Sequence, residues 1–552
     1  MDVPPPGGLM RTLACFLLRQ RRGRGTAKRW RRQVARRPLP PLRRTCPTLR
    51  AREERVGRLC LAVLLLAATL AGCTVVGPDF EKPKADIPPF WTKSGLAPAG
   101  QTPSMANTQP ASEAWWESFH DPELTSLIHK AAAANLDLKE SAIRIAEARE
   151  QRQIAAAAEL PTLSANASYT NTHFSETTAQ GSLFNSFGGS GQGLPVKIPS
   201  FPNPYNQYQI GFDASWEPDL FGGVHRSVEA AEADTQAQRE DARDALVSLE
   251  AEVARDYIDL RLAQAQLAIT ARNIATQQQT RALAEQKFRA GLGTALDVAN
   301  AEAQVRNTRS QSPPFSRSVA SDVNQLSQLL AREPGALSAE LETAKPVPPV
   351  PPEVPVGLPG DLLRRRPDIR AAEARLHAAT ARVGVAVAQL FPSITFDVPF
   401  GTQAETFPKL ADWASRFYSI GPGLTLPIFE GGKLHANIKL ADLEEKEAAV
   451  DYARTVLNAV HEVENALVAY GTEQRRRDAL AATLEQNRAA LTLAQQRYKS
   501  GVTTFLDVLD AERSEQQTEL ALAVSNAAAS TDLVAIYKAL GGGWREGGQD
   551  AG

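Results

Sequence analysis

After Cys73 the sequence contains no further cysteine; its four thiols are Cys15, Cys46, Cys60 and Cys73. No disulfide, zinc or iron–sulfur centre can be built from cysteine in the remainder of the chain. The seven histidines, His120, His129, His173, His225, His377, His435 and His461, are scattered without metal-ligand spacing. No G-x-x-x-x-G-K-[ST] loop occurs, so there is no basis for a P-loop ATPase. No catalytic constellation is visible. The expectation is a protein that is not an enzyme, with no metal and no cofactor beyond covalent lipid. At 43% hydrophobic and 22% charged, the 552 residues suffice for a packed core but are too charged for a polytopic helical membrane protein.

Charge is distributed unevenly. Residues 1–58 hold 16 Arg and one Lys against Asp2, Glu53 and Glu54, a balance of +14, so the remainder carries −15 within a total of −1. The apolar run 59–72 (LCLAVLLLAATLAG) follows. Its 14 residues fall short of the ~20 that span a bilayer. A basic stretch before so short a run reads as a secretory signal peptide. The run ends in Leu70, Ala71 and Gly72 before Cys73, the lipobox pattern of bacterial lipoproteins. Cys73 is therefore the expected lipidated first residue of the mature protein, bearing a diacylglycerol and an N-acyl chain such as palmitate. Thr74, rather than Asp, follows it and favours the outer membrane. A basic region of 58 residues exceeds what a signal peptide needs. We expect translation to start nearer Val56, since GTG is a common bacterial start. A precursor retaining residues 1–50 in mass spectrometry would exclude this.

The remainder is internally repeated. Residues 286–302 (QKFRAGLGTALDVANAE) match 496–512 (QRYKSGVTTFLDVLDAE) without a gap, at an offset of 210. Leu160-Pro-Thr-Leu-Ser matches Phe391-Pro-Ser-Ile-Thr at an offset of 231, and Leu220-Phe-Gly-Gly resembles Phe429-Glu-Gly-Gly. Three matches in one order mean that a structural unit was duplicated.

Each unit holds one long helical segment. Residues 224–290 contain neither Pro nor Gly and are rich in Ala, Gln, Arg, Glu and Leu, all good helix formers. Leu246, Val253, Leu260, Leu267 and Ile274 fall at heptad spacing. Val456, Val463, Tyr470, Leu484, Leu491 and Tyr498 share that phase in the second unit. Heptads imply coiled-coil packing over a length of ~100 Å. A long bundle with no pore has the same spacing.

Each unit also holds short alternating segments. In 207–216, Tyr208, Ile210, Phe212, Ala214 and Trp216 share one face. Residues 393–400 place Ile394, Phe396, Val398 and Phe400 together; 419–428 place Ile420, Leu424, Leu426 and Ile428 together; 163–169 alternates more weakly. Dyad patterns of ~10 residues flanked by aromatics suit tilted transmembrane strands. Half-buried strands of a soluble sheet alternate likewise. Four such strands form two hairpins, joined by Gly/Ser/Asn-rich segments 175–205 and 401–416. Four strands cannot close a barrel, and lipid does not tolerate open edges. The chain must oligomerise. Two copies give eight strands and three give twelve, and arithmetic does not choose.

The chain resembles the outer membrane factor family of TolC/OprM type, in its NodT-like lipoprotein branch. The resemblance rests on Gly77-Pro-Asp-Phe, on Trp115-Trp116 with Phe119, Asp121-Pro122 and Leu124, and on Ser215-Trp-Glu-Pro-Asp-Leu-Phe-Gly. Leu362-Leu-Arg-Arg-Arg-Pro-Asp-Ile-Arg, both Leu-Asp-Val turns and Leu540-Gly-Gly-Gly-Trp complete it. It spans about Cys73 to Trp544. It implies an α+β membrane protein: a trimeric 12-stranded transmembrane β-barrel, four strands per chain, continued by a long periplasmic α-helical barrel. The implied organisation is a basic extension (1–58), a lipoprotein signal peptide (59–72), a first repeat (73–345), a Pro-rich connector (346–360) at an equatorial belt, and a second repeat (361–552). Arg364–Arg366 and Asp368 are expected to form a structural corner where Pro367 starts a helix.

The implied function is the exit channel of a tripartite, RND-type efflux system for small molecules. Its partners would be two further copies, a periplasmic adaptor, an inner-membrane pump and outer-membrane lipid, with no nucleic acid. The helix tips Gly291, Leu292, Gly293, Thr294 and Gly501, Val502, Thr503, Thr504 would dock the adaptor. Gly suits a helix C-terminus, and Thr294 or Thr504 suits the next N-cap. Asp507 and Asp510, at helical spacing i, i+3, would ring the narrow end of the pore and favour cations. Tyr498 and Asp297 match partners of a link that holds the gate shut. A second link in the family uses an arginine where this chain has Thr503, so gating here is looser or uses another contact. A type I protein-secretion channel shares the fold. A non-conducting coiled-coil envelope lipoprotein is the reading from a different class.

Overall fold

A computed structural model describes residues 75–84, 87–91, 105–107, 112–175, 177–178 and 203–544. The basic extension, the signal segment and Cys73 lie outside the described residues.

Strand β1 (Met105–Asn107) precedes a short 3-10 turn at Trp115–Phe119. The Asp121 carboxylate accepts the N–H groups of Glu123 and Leu124, and Pro122 opens helix α1 (Pro122–Ala134). Asn135 caps helix α2 (Leu136–Ala157) in the same way. Strands β2 (Thr162–Thr172) and β3 (Tyr205–Trp216) form an antiparallel hairpin. Helix α3 (Gly223–Arg289) follows for 67 residues, a rod of ~100 Å. Helices α4 (Ala295–Ser310) and α5 (Ser312–Leu329) return, broken at Gln311. Pro313 and Pro314 supply no N–H to continue the ladder across that break. Strand β4 (Glu353–Pro355) lies in the Pro-rich connector and pairs with β1 in parallel.

The second unit runs helix α6 (Pro367–Ala388), strands β5 (Ser393–Ala404), β6 (Arg416–Tyr418) and β7 (Gly421–Thr425), then helices α7 (Lys433–Lys499) and α8 (Phe505–Ala539). The duplication holds element by element. Helices α2 and α6 are each 22 residues long and offset by 231; α3 and α7 are each 67 residues long and offset by 210. The 21-residue difference between the offsets lies in the hairpin connection, 173–204 in the first unit and 405–415 in the second. The two units thus differ in the length of chain that joins their paired strands.

The predicted strands join into one sheet in the order β2-β3-β5, with β6 and β7 both on the far edge of β5. The fourth strand is shorter than its pattern suggests. It is interrupted at Ser419 and Ile420 and ends at Thr425, not Ile428. Pro427 follows that end, and Pro422 stands on the outer strand, the position in a sheet that tolerates proline. Register places Ala165, Phe212 and Phe400 side by side on one face, with Leu163, Ala214 and Val398 in the next rung. Phe212 stacks on Phe400, and Trp216 on Phe396. The opposite face carries Asn166, Asp213, Ser215 and Asp397, where Ser215 Oγ donates to Asp397 at 2.6 Å.

The helical core is built on the predicted heptads. Val253, Leu260, Val456, Val463 and Tyr470 are buried, and Trp115 stacks on Tyr537 beside Phe119. Arg261 is fully buried on α3. Its guanidinium donates to Glu123 and Thr343 O at 2.8 Å each and to Gln264 at 2.7 Å. Tyr257 beneath it donates to Asp121 at 2.7 Å. Removing one partner of such a pair costs about 3–5 kcal/mol, because the other charge stays buried. The Arg366 corner is structural as expected: it clasps Asp368, Glu462 and the Ala539 carbonyl, the last two at 2.7 Å. Helix α8 is apolar and long enough to cross a membrane, yet half of its apolar window is buried within the chain.

Candidate functional site

Both helix tips are built by the same local code. Helix α3 ends in a Schellman turn: the Leu292 N–H reaches Lys287 O at 2.8 Å and the Gly291 N–H reaches Phe288 O at 3.0 Å. Helix α7 repeats it with Val502 to Arg497 O at 2.9 Å and Gly501 to Tyr498 O at 3.1 Å. Gly291 and Gly501 take φ of 71° and 77°, a region that favours glycine. Leu292 and Val502 project outward at the two turns, both exposed.

The following helices begin with a Thr and an Asp three residues on. At the first tip the pair is reciprocal: Asp297 N–H donates to Thr294 Oγ1 at 3.1 Å and Thr294 N–H to Asp297 Oδ2 at 3.0 Å. At the second tip, Asp507 gathers the Thr504 N–H at 3.1 Å, the Thr504 hydroxyl at 3.0 Å and the Thr503 hydroxyl. These donors, Thr503 first, hold the Asp507 carboxyl below the usual carboxylate range. Thr503 thus serves Asp507 within its own turn. Asp510 lies one turn further, 77% exposed in its side chain, with Arg513 at 3.9 Å.

Tyr498 is 5% exposed and packs with Phe505, Val508, Leu509, Ala284 and Ala301 in a small apolar cluster that joins the two tips. Burial, with the nearby Asp297 charge, raises its phenol above the usual value. Its hydroxyl has no hydrogen-bond partner among the described residues. Tyr498 and Asp297 are therefore brought near each other but not hydrogen-bonded within one chain. Lys287 makes the direct contact instead. Its ammonium lies 4.3 Å from the Tyr498 ring centroid and donates to the Tyr498 carbonyl. A cation suits both the ring face and the negative end of α7.

Above the cluster lies a buried polar layer that periodicity did not reveal. Thr280 donates to Glu512 at 2.6 Å, and Gln277 to Gln516 at 3.3 Å. Arg513 reaches Gln304 at 3.1 Å. Burial raises the Glu512 carboxyl, opposed by the Thr280 hydrogen bond. The only sequence signal was polar residues where a heptad core would be apolar. Among the described residues no group of His, Cys, Asp and Glu is arranged to hold a metal ion.

Two surfaces accompany the tips. One is the apolar face of the sheet, where Ile210, Phe212, Phe400 and Leu424 are exposed in the single chain. The other is its polar face, which carries Asp213 and Asp397. Among the described residues, strand β2 on one side and β6 with β7 on the other are unpaired along their outer edges.

A family profile described as outer membrane efflux protein matches residues 127–332 and 358–542. Outer membrane protein OprJ of Pseudomonas aeruginosa is 34% identical over 500 residues, 88% of this chain and 96% of that protein. Nodulation protein T of Rhizobium leguminosarum bv. trifolii is 32% identical over 459 residues, 82% of this chain and 91% of that protein. Among solved structures, the outer-membrane channel OprN superposes with a TM-score of 0.75 at 33% identity, covering 85% of this chain and 99% of that one.

Proposed function

The chain belongs to the outer membrane efflux protein family, and from that membership we propose that it is the outer-membrane exit duct of a tripartite efflux system. It carries small amphipathic compounds delivered by an RND-type inner-membrane pump through a periplasmic adaptor. The observation that carries this reading is the sheet. Among the described residues its apolar face is exposed and both of its edges are open. Exposed aromatic rungs suit lipid, and open edges in lipid must be paired. Pairing β2 of one copy with β6 and β7 of the next closes the edges, and three copies give a twelve-stranded barrel with Asp213 and Asp397 inside. The 67-residue helices extend ~100 Å from the sheet into the periplasm.

The tips are the working end in this reading. Leu292 and Val502 present apolar side chains to the adaptor. Asp507 and Asp510 narrow the pore with carboxylates, and Tyr498 with Asp297 belongs to the closed gate. Cys73 carries the lipid that anchors the chain to the outer membrane, with no other cofactor. Deleting the gene should make its host more susceptible to amphipathic antibiotics and detergents, and re-expression should restore resistance. Unchanged susceptibility with loss of a secreted protein would support type I secretion instead.

A further inference from the structure

The duplication places Lys287 opposite Arg497, and Phe288 opposite Tyr498, both at the offset of 210. The two pairs behave differently in a single chain. Lys287 crosses to Tyr498, which is 5% exposed, whereas Phe288 is 48% exposed. The Arg497 side chain is exposed and has no hydrogen bond or ion pair among the described residues; only the Asp507 charge is felt at a distance. The same asymmetry recurs one turn up. Leu283 packs against the apolar cluster that joins the tips, but its counterpart Leu493 is 59% exposed. Half of a repeated contact is thus made inside the chain, and the other half is present without its complement.

We propose that Arg497 of one copy packs on Phe288 of the next, repeating between chains the Lys287–Tyr498 contact made within each. The Schellman turn at Gly291 leaves the Phe288 carbonyl in the position that the Tyr498 carbonyl holds at Gly501. A guanidinium there meets the ring face of Phe288 and the negative end of α3 together. Leu493 of the same copy then covers Ala295, the counterpart of Phe505, on the neighbour. The occupant of this surface is a second copy, because the complementary residues are those left exposed on the other flank of the same tip. The inference rests on the oligomeric channel proposed above and adds the residues that close its ring of tips.

Cysteines at Phe288→Cys and Arg497→Cys, together in the full acylated chain, test it with a short bis-methanethiosulfonate cross-linker. The double variant should give a covalent ladder up to the trimer on a denaturing gel, and neither single variant should. A heat-modifiable native trimer that yields only monomer after cross-linking overturns the contact. A Phe288→Cys single variant that cross-links by itself overturns it too, since the contact would then be symmetric. Loss of the native trimer in the unsubstituted chain would instead overturn the channel reading. Arg497→Lys should retain the closed-state conductance of the parent, and Arg497→Ala should raise it at least two-fold; equal conductance in both would also contradict the contact.

Discussion

The Lys287 ammonium sits 4.3 Å from the centroid of the Tyr498 ring, so the first repeat caps the last turn of the second. A partly buried contact of this kind contributes about 0.5–2 kcal/mol. Lys287→Met should therefore shift the tip toward its open form by about two- to thirty-fold, read as open probability in planar bilayers. Lys287→Arg should keep most of the closed population. Open probability unchanged in Lys287→Met would remove Lys287 from the gate.

Asp507 and Asp510 separate two roles. Asp507 is bound by three donors and caps α8, whereas Asp510 is largely free in solvent. Asp510→Asn should lower cation over anion permeability without changing thermal stability. Asp507→Ala should lower both, because it also removes the acceptor of the Thr504 N–H at the start of α8. Because the folded Asp507 carboxyl is held low, its stabilisation is present above the ordinary carboxylate range and is lost as pH falls through the folded value. An Asp510→Asn channel should accordingly keep its residual cation preference into mildly acid solution. Reversal potentials measured across a salt gradient at several pH values decide this.

Glu250, on α3, is 3% exposed, and its Oε2 has no hydrogen-bond partner among the described residues. Burial alone pushes its carboxyl up to about 9 from an ordinary 4.5. The folded chain then binds a proton that the unfolded chain releases, so stability falls as pH rises between those two values. Glu250→Gln removes that loss. Its melting temperature should exceed that of the parent at pH 8 and converge with it near pH 4.5. A constant difference across that interval would show that Glu250 is charged when folded.

The two faces of the sheet should tolerate charge unequally. Phe212→Arg places a cation on the apolar face at a cost of about 2–4 kcal/mol near the bilayer midplane. It should reduce the heat-modifiable oligomer in outer-membrane fractions. Gln209→Arg, on the polar face, should leave assembly intact and shift ion selectivity toward anions. Equal behaviour of the two variants would contradict the assignment of lipid and lumen faces.

Much of this was legible because the signals were periodic. The Pro-free, Gly-free run gave α3 within a residue of each end, heptad spacing gave the stripe of α7 from Val456 to Tyr498 but not its ends, and alternation gave the faces of β3 and β5. The glycines and the N-capping threonines gave the tips. The connector's pairing with β1 was not legible, since three residues in parallel register leave no period. The break within the fourth strand was missed because apolar alternation continues through Ile420 and past Thr425, while Pro427 and edge pairing end the ladder. At the tips, the family resemblance implied a Tyr498–Asp297 link. It did not reveal that Asp297 is engaged as a cap or that Lys287 reaches Tyr498, because no local pattern records a contact between residues 211 positions apart.

Conductance of the purified, acylated protein in planar bilayers decides whether copies of this chain close a membrane duct gated at its helix tips. A heat-modifiable trimer is expected, with small, cation-preferring conductance that rises when Lys287 or Arg497 is removed. A lipidated protein that inserts without any conductance, in the parent and in both tip variants, would contradict it.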